Sequence, residues 1–317
     1  NEFHFGLGKV SKIDSMVVEW DSGKKEVFYN LDANQTISVY EKDSKYVVAK
    51  EEEYQPIFSK INDFIKYNHE ENEFDDFNNE ILLPFKQSTL GPFISTGDVN
   101  NDGKKDIFIG GAHKQDSKIY VSNGNGFIEK NIESFQNDSE NEDMESVFID
   151  VDNDNDLDLY VVSGGNEFVN RSFELSDRIY LNDGKGNFSR DFQEDLKNYT
   201  ISGKTVVAID YDNDGDEDII VGNRIQTKKY PIHEPSIIYE NISGKFYNNT
   251  YNIAPDFENF GIVNKIISTD FNNDGWDDFI AVGEWTNVGL FLNEKGTFRN
   301  INKESNLDNL FGLWFNI

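Results

Sequence analysis

The chain has 317 residues, enough for one large or two ordinary domains, and 59 acidic against 29 basic side chains give it a formal net charge of −30. That balance repels nucleic acid and anionic membrane surfaces, yet aromatics make up 14% of the residues, so a real core can be buried and the chain is no disordered acidic tail. The absence of Cys removes disulfides, thiolate metal sites and a Cys nucleophile, and no apolar run approaches the roughly 18 residues of a membrane helix.

The N-terminus, NEFHFGLGK, has neither the basic start nor the apolar stretch of a signal peptide. It opens without Met in a strand-like pattern, as expected of a piece of a longer chain. Residues 1–42 hold DSMVVEW, a turn at DSGK, then EVFYNL and QTISVYE, which predicts a small antiparallel β domain. Residues 43–90 read as an acidic connector, with only a weak helical period over 56–67.

A repeat organises residues 91–317. Four segments share an apolar strand, an Asp-rich loop and a second apolar strand: ISTGDVNNDGKKDIFIGG, VFIDVDNDNDLDLYVVSGG, VVAIDYDNDGDEDIIVGN and ISTDFNNDGWDDFIAVGE. Their loops begin at Asp98, Asp150, Asp210 and Asp270, in steps of 52, 60 and 60 residues. Two more strands follow each pair, as in SKIYVSNG and GFIEKNI, joined by Gly/Asn turns. That period suits a propeller blade of four strands. The closing LFGLWFNI, 310–317, repeats the strand that precedes each loop, so a fifth blade is expected to begin there. The predicted fold is all-β: an incomplete β-propeller of four-stranded blades, preceded by the small antiparallel β domain.

The loops place oxygen side chains at alternate positions. Position 1 is Asp98, Asp150, Asp210 and Asp270; position 3 is Asn100, Asp152, Asp212 and Asn272; position 5 is Asp102, Asp154, Asp214 and Asp274. Position 9 is Asp106, Asp158, Asp218 and Asp278. Hard Ca²⁺ takes six to eight oxygens in a flexible cage, and alternate residues of a tight loop can point inward together. Position 7 would offer its carbonyl, which lets Lys104, Asp156, Asp216 and Trp276 all occupy it. Position 6 needs a sharp turn with φ > 0; Gly103, Gly215 and Gly275 meet that need, and Asn155 is the next best tolerated residue. An EF-hand would need Glu at position 12, where Ile109, Val161, Val221 and Ala281 stand instead. Eighteen carboxylates in four such loops would repel one another strongly without cations, so about four structural Ca²⁺ are expected, rather than Mg²⁺, which keeps its waters.

These loops resemble FG-GAP (VCBS) repeats, the calcium-loop blades of integrin-like propellers. HFGLGKVSKIDSMVVEWDSGKKEVFYNLDANQTISVYE resembles the C-terminal part of an ASPIC/UnbV domain, and HEENEFDDFNNEILLPFKQSTLGP the segment joining that domain to a following propeller. VVSGGNEF, DRIYLNDGKGNF and VGEW are similar to the same family. The resemblance implies a secreted or surface protein, often an outer-membrane lipoprotein in Bacteroidota, with loop Ca²⁺ and with protein or glycan contacts in place of catalysis. Asn155 departs from the family's turn position.

In such a blade the Asp loops mark one face, and the connections between strands two and three mark the other. The longest of these, 163–177 and 222–236, carry Arg171, Arg224 and Tyr230, with Lys228, Lys229, His233, Phe168 and Phe173. Basic and aromatic residues on an acidic chain make a candidate partner-binding patch, although ordinary solvated loops would look alike. None of the four His forms an HxH or HExxH pair, and no GxSxG elbow is present. His69 lies among Glu70, Glu71, Glu73 and Asp75, a metal site or simply a polar connector. The expected function is a non-catalytic, extracytoplasmic scaffold at the cell surface or outer membrane, with a protein or glycan partner and an accessory role to an outer-membrane importer. A carbohydrate-active propeller and an integrin-like adhesion module are the alternatives.

Overall fold

The computed structural model describes residues 3–46, 58, 64–91 and 93–317, and it divides into two compact units, Asn1–Ile61 and Asn62–Ile317. The weak helical period at 56–67 falls largely outside the described residues. In the first unit, β1 (Lys12–Glu19) and β2 (Lys24–Asp32) pair antiparallel around a turn in which Gly23 has φ 83°. QTISVYE, read as a strand, is irregular; the third strand is β3 (Lys45–Tyr46), paired with the start of β2. Trp20 Nε1 donates to Ser44 Oγ at 2.7 Å, which draws the chain before β3 back onto that hairpin.

The second unit is built from four antiparallel sheets. Blade one is β4 (Ile94–Gly97), β5 (Asp106–Ile109), β6 (Lys118–Ser122) and β7 (Phe127–Lys130). Blade two is β8 (Asp143–Ile149), β9 (Asp158–Ser163), β10 (Arg178–Leu181) and β11 (Ser189–Asp191). Blade three is β12 (Gly203–Ile209), β13 (Asp218–Asn223), β14 (Ile237–Ile242) and β15 (Lys245–Asn248). Blade four is β16 (Ile262–Thr269), β17 (Asp278–Thr286), β18 (Gly289–Asn293) and β19 (Phe298–Asn300). The fold is thus the all-β, incomplete propeller that the repeat predicts.

Every residue of β9 and β13 is buried, because these strands lie between neighbouring blades; they therefore read as apolar runs without alternation. The core is a set of layers between blades. Phe108 and Ile119 of blade one pack with Leu159 and Tyr180 of blade two. Tyr160 and Ile179 pack with Ile219 and Tyr239 of blade three, and Ile220 and Ile238 pack with Phe279 and Phe291 of blade four. Single helical turns join blade to blade: α1 (Glu133–Asn137), α2 (Glu194–Asn198), and the pair α3 (Thr250–Ile253) and α4 (Pro255–Glu258). Each is too short to leave a helical period in the sequence.

Residues 64–90, part of the 43–90 segment read as connector, bind into the second unit. Asp76 is fully buried and accepts from Ser88 Oγ at 2.7 Å and Asn166 Nδ2 at 2.9 Å. Tyr67 OH donates to the Gly110 carbonyl at 2.8 Å. β20 (Gly312–Leu313), in the segment expected to begin a fifth blade, pairs with the far end of β17, Leu313 opposite Glu284 and Gly312 opposite Thr286. The cause is an unfilled edge: β17 runs to Thr286, but β18 pairs with it only as far as Ala281.

Close packing at that edge makes a sharp demand at Gly283, where a Cβ would lie 1.7 Å from the Ile262 carbonyl oxygen. Gly283→Ala is expected to destabilise the unit by about 1–3 kcal/mol or more in urea unfolding. Gly126→Ala, at a position with nothing within 4 Å, should stay within about 1 kcal/mol of the parent.

Candidate metal centre

Each Asp loop is folded by its own side chains. The position 1 carboxylate accepts from the main-chain N–H of position 5, as Asp98 does from Asp102 at 3.0 Å and Asp150 from Asp154 at 3.1 Å. Its other oxygen accepts from position 6: Gly103 at 2.7 Å, Asn155 at 3.0 Å, Gly215 at 3.2 Å and Gly275 at 2.9 Å. Position 5 accepts from the position 7 N–H at 2.9–3.0 Å in all four loops. This winding needs φ > 0 twice. Position 6 supplies it as expected, including Asn155 at 69°. Position 4 supplies it too, through Asn101, Asn153, Asn213 and Asn273 at 55–61°, a requirement that the sequence reading passed over.

The position 9 carboxylates face inward and are buried. Asp106, Asp158, Asp218 and Asp278 each take the N–H of position 2 on one oxygen, at 2.9–3.2 Å. On the other they take the N–H at the end of strand three: Ser122, Asn182, Asn241 and Asn293, each at 2.7–2.8 Å. Those three Asn side chains then reach the preceding blade. Asn182 Nδ2 donates to Val99 O at 2.8 Å, Asn241 Nδ2 to Val151 O at 2.9 Å, and Asn293 Nδ2 to Tyr211 O at 2.8 Å. The recurring Asn of YLN, YEN and FLN was the available signal for this bridge. Asn241 is also the acceptor of a glycosylation sequon, but at 1% exposure it is structural.

Two loops bring three carboxylates together, with Asp150, Asp152 and Asp154 in one and Asp210, Asp212 and Asp218 in the other, each set having ligand oxygens within 4.8 Å of one another. The first and fourth loops carry Asn100 and Asn272 at position 3 and so have fewer charges to gather. In the first, Lys104 Nζ lies 3.0 Å from Asp102 Oδ2 and holds that carboxyl below the usual carboxylate range. Asp216, at position 7, accepts instead from Asn153 Nδ2 at 2.6 Å and ties loops two and three together.

The second and third loops fit a cation. Asp212 Oδ1 and Asp156 Oδ1 are buried with no hydrogen-bond partner. Burial, reinforced by neighbouring loop carboxylates, pushes Asp156 up to about 6, Asp158 to about 7 and Asp218 to about 8. Burial therefore favours the neutral form of these acids, and a divalent cation bound by positions 1, 3, 5 and 9 would supply the charge that stabilises them ionised.

The candidate partner patch is partly internal. Arg224 is 2% exposed and ion-paired with Glu284 at 2.7 Å, so it is not offered to a partner as the sequence suggested; its position at the end of β13 turns it into the core. Arg171 is half-exposed and pairs with Glu234 at 2.5 Å. Tyr230 donates to Glu284 Oε2 at 2.9 Å and accepts from Trp285 Nε1 at 2.7 Å. The two long connections do meet, since Lys228 N donates to Asn166 Oδ1 at 2.6 Å. His69 Nε2 lies 2.7 Å from Glu71 Oε1, but among the described residues that cluster does not converge as the two Asp loops do. Also among the described residues, no helix is long and apolar enough to cross a membrane.

Comparison with known proteins agrees with the motifs. Residues 1–46 match the family described as ASPIC and UnbV, and residues 98–161 and 150–221 match the FG-GAP-like repeat. The chain thus carries an ASPIC/UnbV segment and FG-GAP-like repeats over these residues. No curated protein matches it. Among solved structures it is similar to an Agrocybe aegerita lectin studied for specific recognition of non-reducing terminal N-acetylglucosamine, at 19% identity and a TM-score of 0.44 over 65% of this chain and 50% of that one. It is also similar to the V. cholerae biofilm matrix protein Bap1, at 18% identity and a TM-score of 0.30 over 67% of this chain and 30% of that one. The chain therefore spans half or less of the length of these neighbours.

Two outcomes follow from this geometry. Asn241→Ala leaves the Val151 and Glu217 carbonyls and the Gly244 N–H without their partner and should cost about 2–4 kcal/mol, read by urea unfolding in calcium. The raised carboxyls fix the sign of a pH effect. Without metal, their contribution to folding is complete below about pH 4 and is lost as pH rises through about 6 to 8. Bound calcium reverses that loss, so the melting-temperature gap between calcium and chelator should widen from pH 5 to pH 8 in scanning calorimetry. A constant gap would contradict the assignment.

Proposed function

We propose that this chain is a non-catalytic, calcium-stabilised binding module, a rigid scaffold that presents a protein or glycan partner with the connections opposite its Asp loops. The observation that carries this reading is the repeated loop itself, wound the same way four times, with three carboxylates converging in the second and in the third and a buried unpaired Asp212 oxygen in the third. Positions 1, 3, 5 and 9, with the position 7 carbonyl, would hold one Ca²⁺ in each of four loops. Bound there, calcium supplies charge neutralisation and rigidity.

Such modules bind calcium with Kd of roughly 10⁻⁴ to 10⁻³ M, which at about millimolar calcium contributes about 0.4–1.4 kcal/mol per site. Four sites would contribute about 2–6 kcal/mol, comparable with the net stability of a domain. That dependence supports an extracytoplasmic location, where calcium is high enough to fill the sites. Attachment to a cell surface or outer membrane, and service to an importer there, extend the same reading.

Calcium titration by calorimetry should give about four sites, reduced to three in Asp212→Asn, and chelator should lower the melting temperature. Unchanged melting in chelator would reject the calcium reading. Co-purification from native membranes should then retain a partner in calcium and lose it on chelation.

A further inference from the structure

On the face opposite the Asp loops, the connections after β5 and β9 and the strap at residues 70–74 enclose an open pocket of about 610 Å³. Its lining carries Glu70, Glu71, Glu73 and Glu167, with Lys114 the one cationic side chain. Glu142 stands behind the His113 wall and is wholly buried. Its Oε2 accepts from the His113 main-chain N–H at 2.7 Å, while Oε1 has no hydrogen-bond partner. Asn72, in the pocket lining, donates Nδ2 to Glu167 Oε1 at 3.0 Å and leaves its own Oδ1 buried without a partner.

Asn72 Oδ1 is an acceptor in the lining itself, Glu142 Oε1 behind it is one only when ionised, and the lining carboxylates add negative charge. Burial pushes Glu142 up to about 9, with Glu167 and then Glu71 reinforcing the shift, and burial raises Glu167 as well. Lys114 in the lining and Lys228, whose ammonium lies 5.6 Å from the centroid of the Phe74 ring, stand against four carboxylates, so the balance at the pocket stays negative. A directly coordinated metal ion fits it poorly, because no three carboxylate or imidazole atoms here approach one another within 4.8 Å as they do in the Asp loops. Spaced carboxylates suit a larger cation whose N–H groups point in several directions. The Phe168 ring, edge-on to His113 at 5.1 Å between centroids, gives the alkyl part of such a ligand an apolar wall.

We propose that this pocket binds an ammonium or guanidinium group presented by a partner polypeptide, a Lys or Arg side chain entering between blades one and two. The pocket is wider than one side chain and open to solvent, which leaves room for the residues flanking the inserted one. The chain's net charge of −30 draws basic segments toward it. The site uses none of the calcium ligands and goes beyond the scaffold reading.

The test is calorimetric titration of the full chain, saturated with calcium, with short capped peptides containing one Lys or one Arg. Peptides carrying norleucine or citrulline at the same position serve as uncharged controls, and butane-1,4-diamine as a free amine. The charged peptides should bind about tenfold or more tightly than the uncharged ones. Glu167→Gln should lower that affinity about three- to tenfold, as should Glu73→Gln, an exposed position that keeps the test informative if the first variant folds poorly. Asp212→Asn should alter the calcium response and leave peptide binding intact, which separates this inference from the calcium reading. Equal binding of charged and uncharged peptides, or unchanged affinity in both Glu variants, would overturn the proposal. Binding of the diamine as tight as that of the peptides would overturn the polypeptide source, and displacement of the peptides by added Zn²⁺ would overturn the organic cation.

Discussion

The structure depends on one bridging arrangement: a buried Asp at the end of each loop that holds two main-chain N–H groups from different turns. Asp218 joins Tyr211 in the turn after β12 to Asn241 at the end of β14, so one carboxylate fixes three strands of blade three. Asn241 then carries the constraint to Val151 in blade two. Asn182 and Asn293 make the equivalent links on either side. Apolar packing supplies most of the driving force for these blades, but it is non-directional. The Asp and Asn hydrogen bonds give each blade its orientation against the next, because breaking one leaves several buried polar groups unpaired.

The same position bears on cation binding. Residues that face inward to hold the fold also bring a buried carboxylate beside those of the loop. Asp218 serves both roles, as an acceptor of two N–H groups and as a member of the Asp210, Asp212 and Asp218 cluster. A metal held by that cluster would therefore be coupled to folding through a shared side chain. The four loops are not equivalent, since Lys104 places an ammonium beside Asp102 while the second and third loops gather three carboxylates each.

The opposite face is organised by buried ion pairs. Arg178 pairs with Asp143, whose Oδ2 also accepts from Gly111 N at 2.8 Å and from Ser117 Oγ in blade one. Arg224 pairs with Glu284 and also meets Asn264 and Gln87, which ties the strap to blades three and four. Such pairs add little net stability once desolvation is counted, but a lone partner would be costly, so they select one arrangement of blades. Two basic residues visible in the sequence thus differ in kind: Arg171 remains half-exposed and Arg224 does not.

Local pattern by itself determined the blades, the Asp loops and the turn at position 6, because these follow from alternation and from φ requirements within nine residues. It also determined the all-β class and the resemblance to FG-GAP and ASPIC/UnbV segments. Tertiary structure alone decided the fate of groups whose partners lie far along the chain. Asn241 bridges 90 residues back to Val151, Gln87 reaches Arg224 across 137, and β20 closes onto β17 where an edge was open. The acidic strap reads as solvated connector because its carboxylates are polar; packing places Asp76 in the interior and gathers Glu71 and Glu167 near the buried Glu142. Burial, which depends on the whole chain, raises Glu142 and Glu167 above ordinary carboxylic acids and distinguishes a pocket from a charged surface.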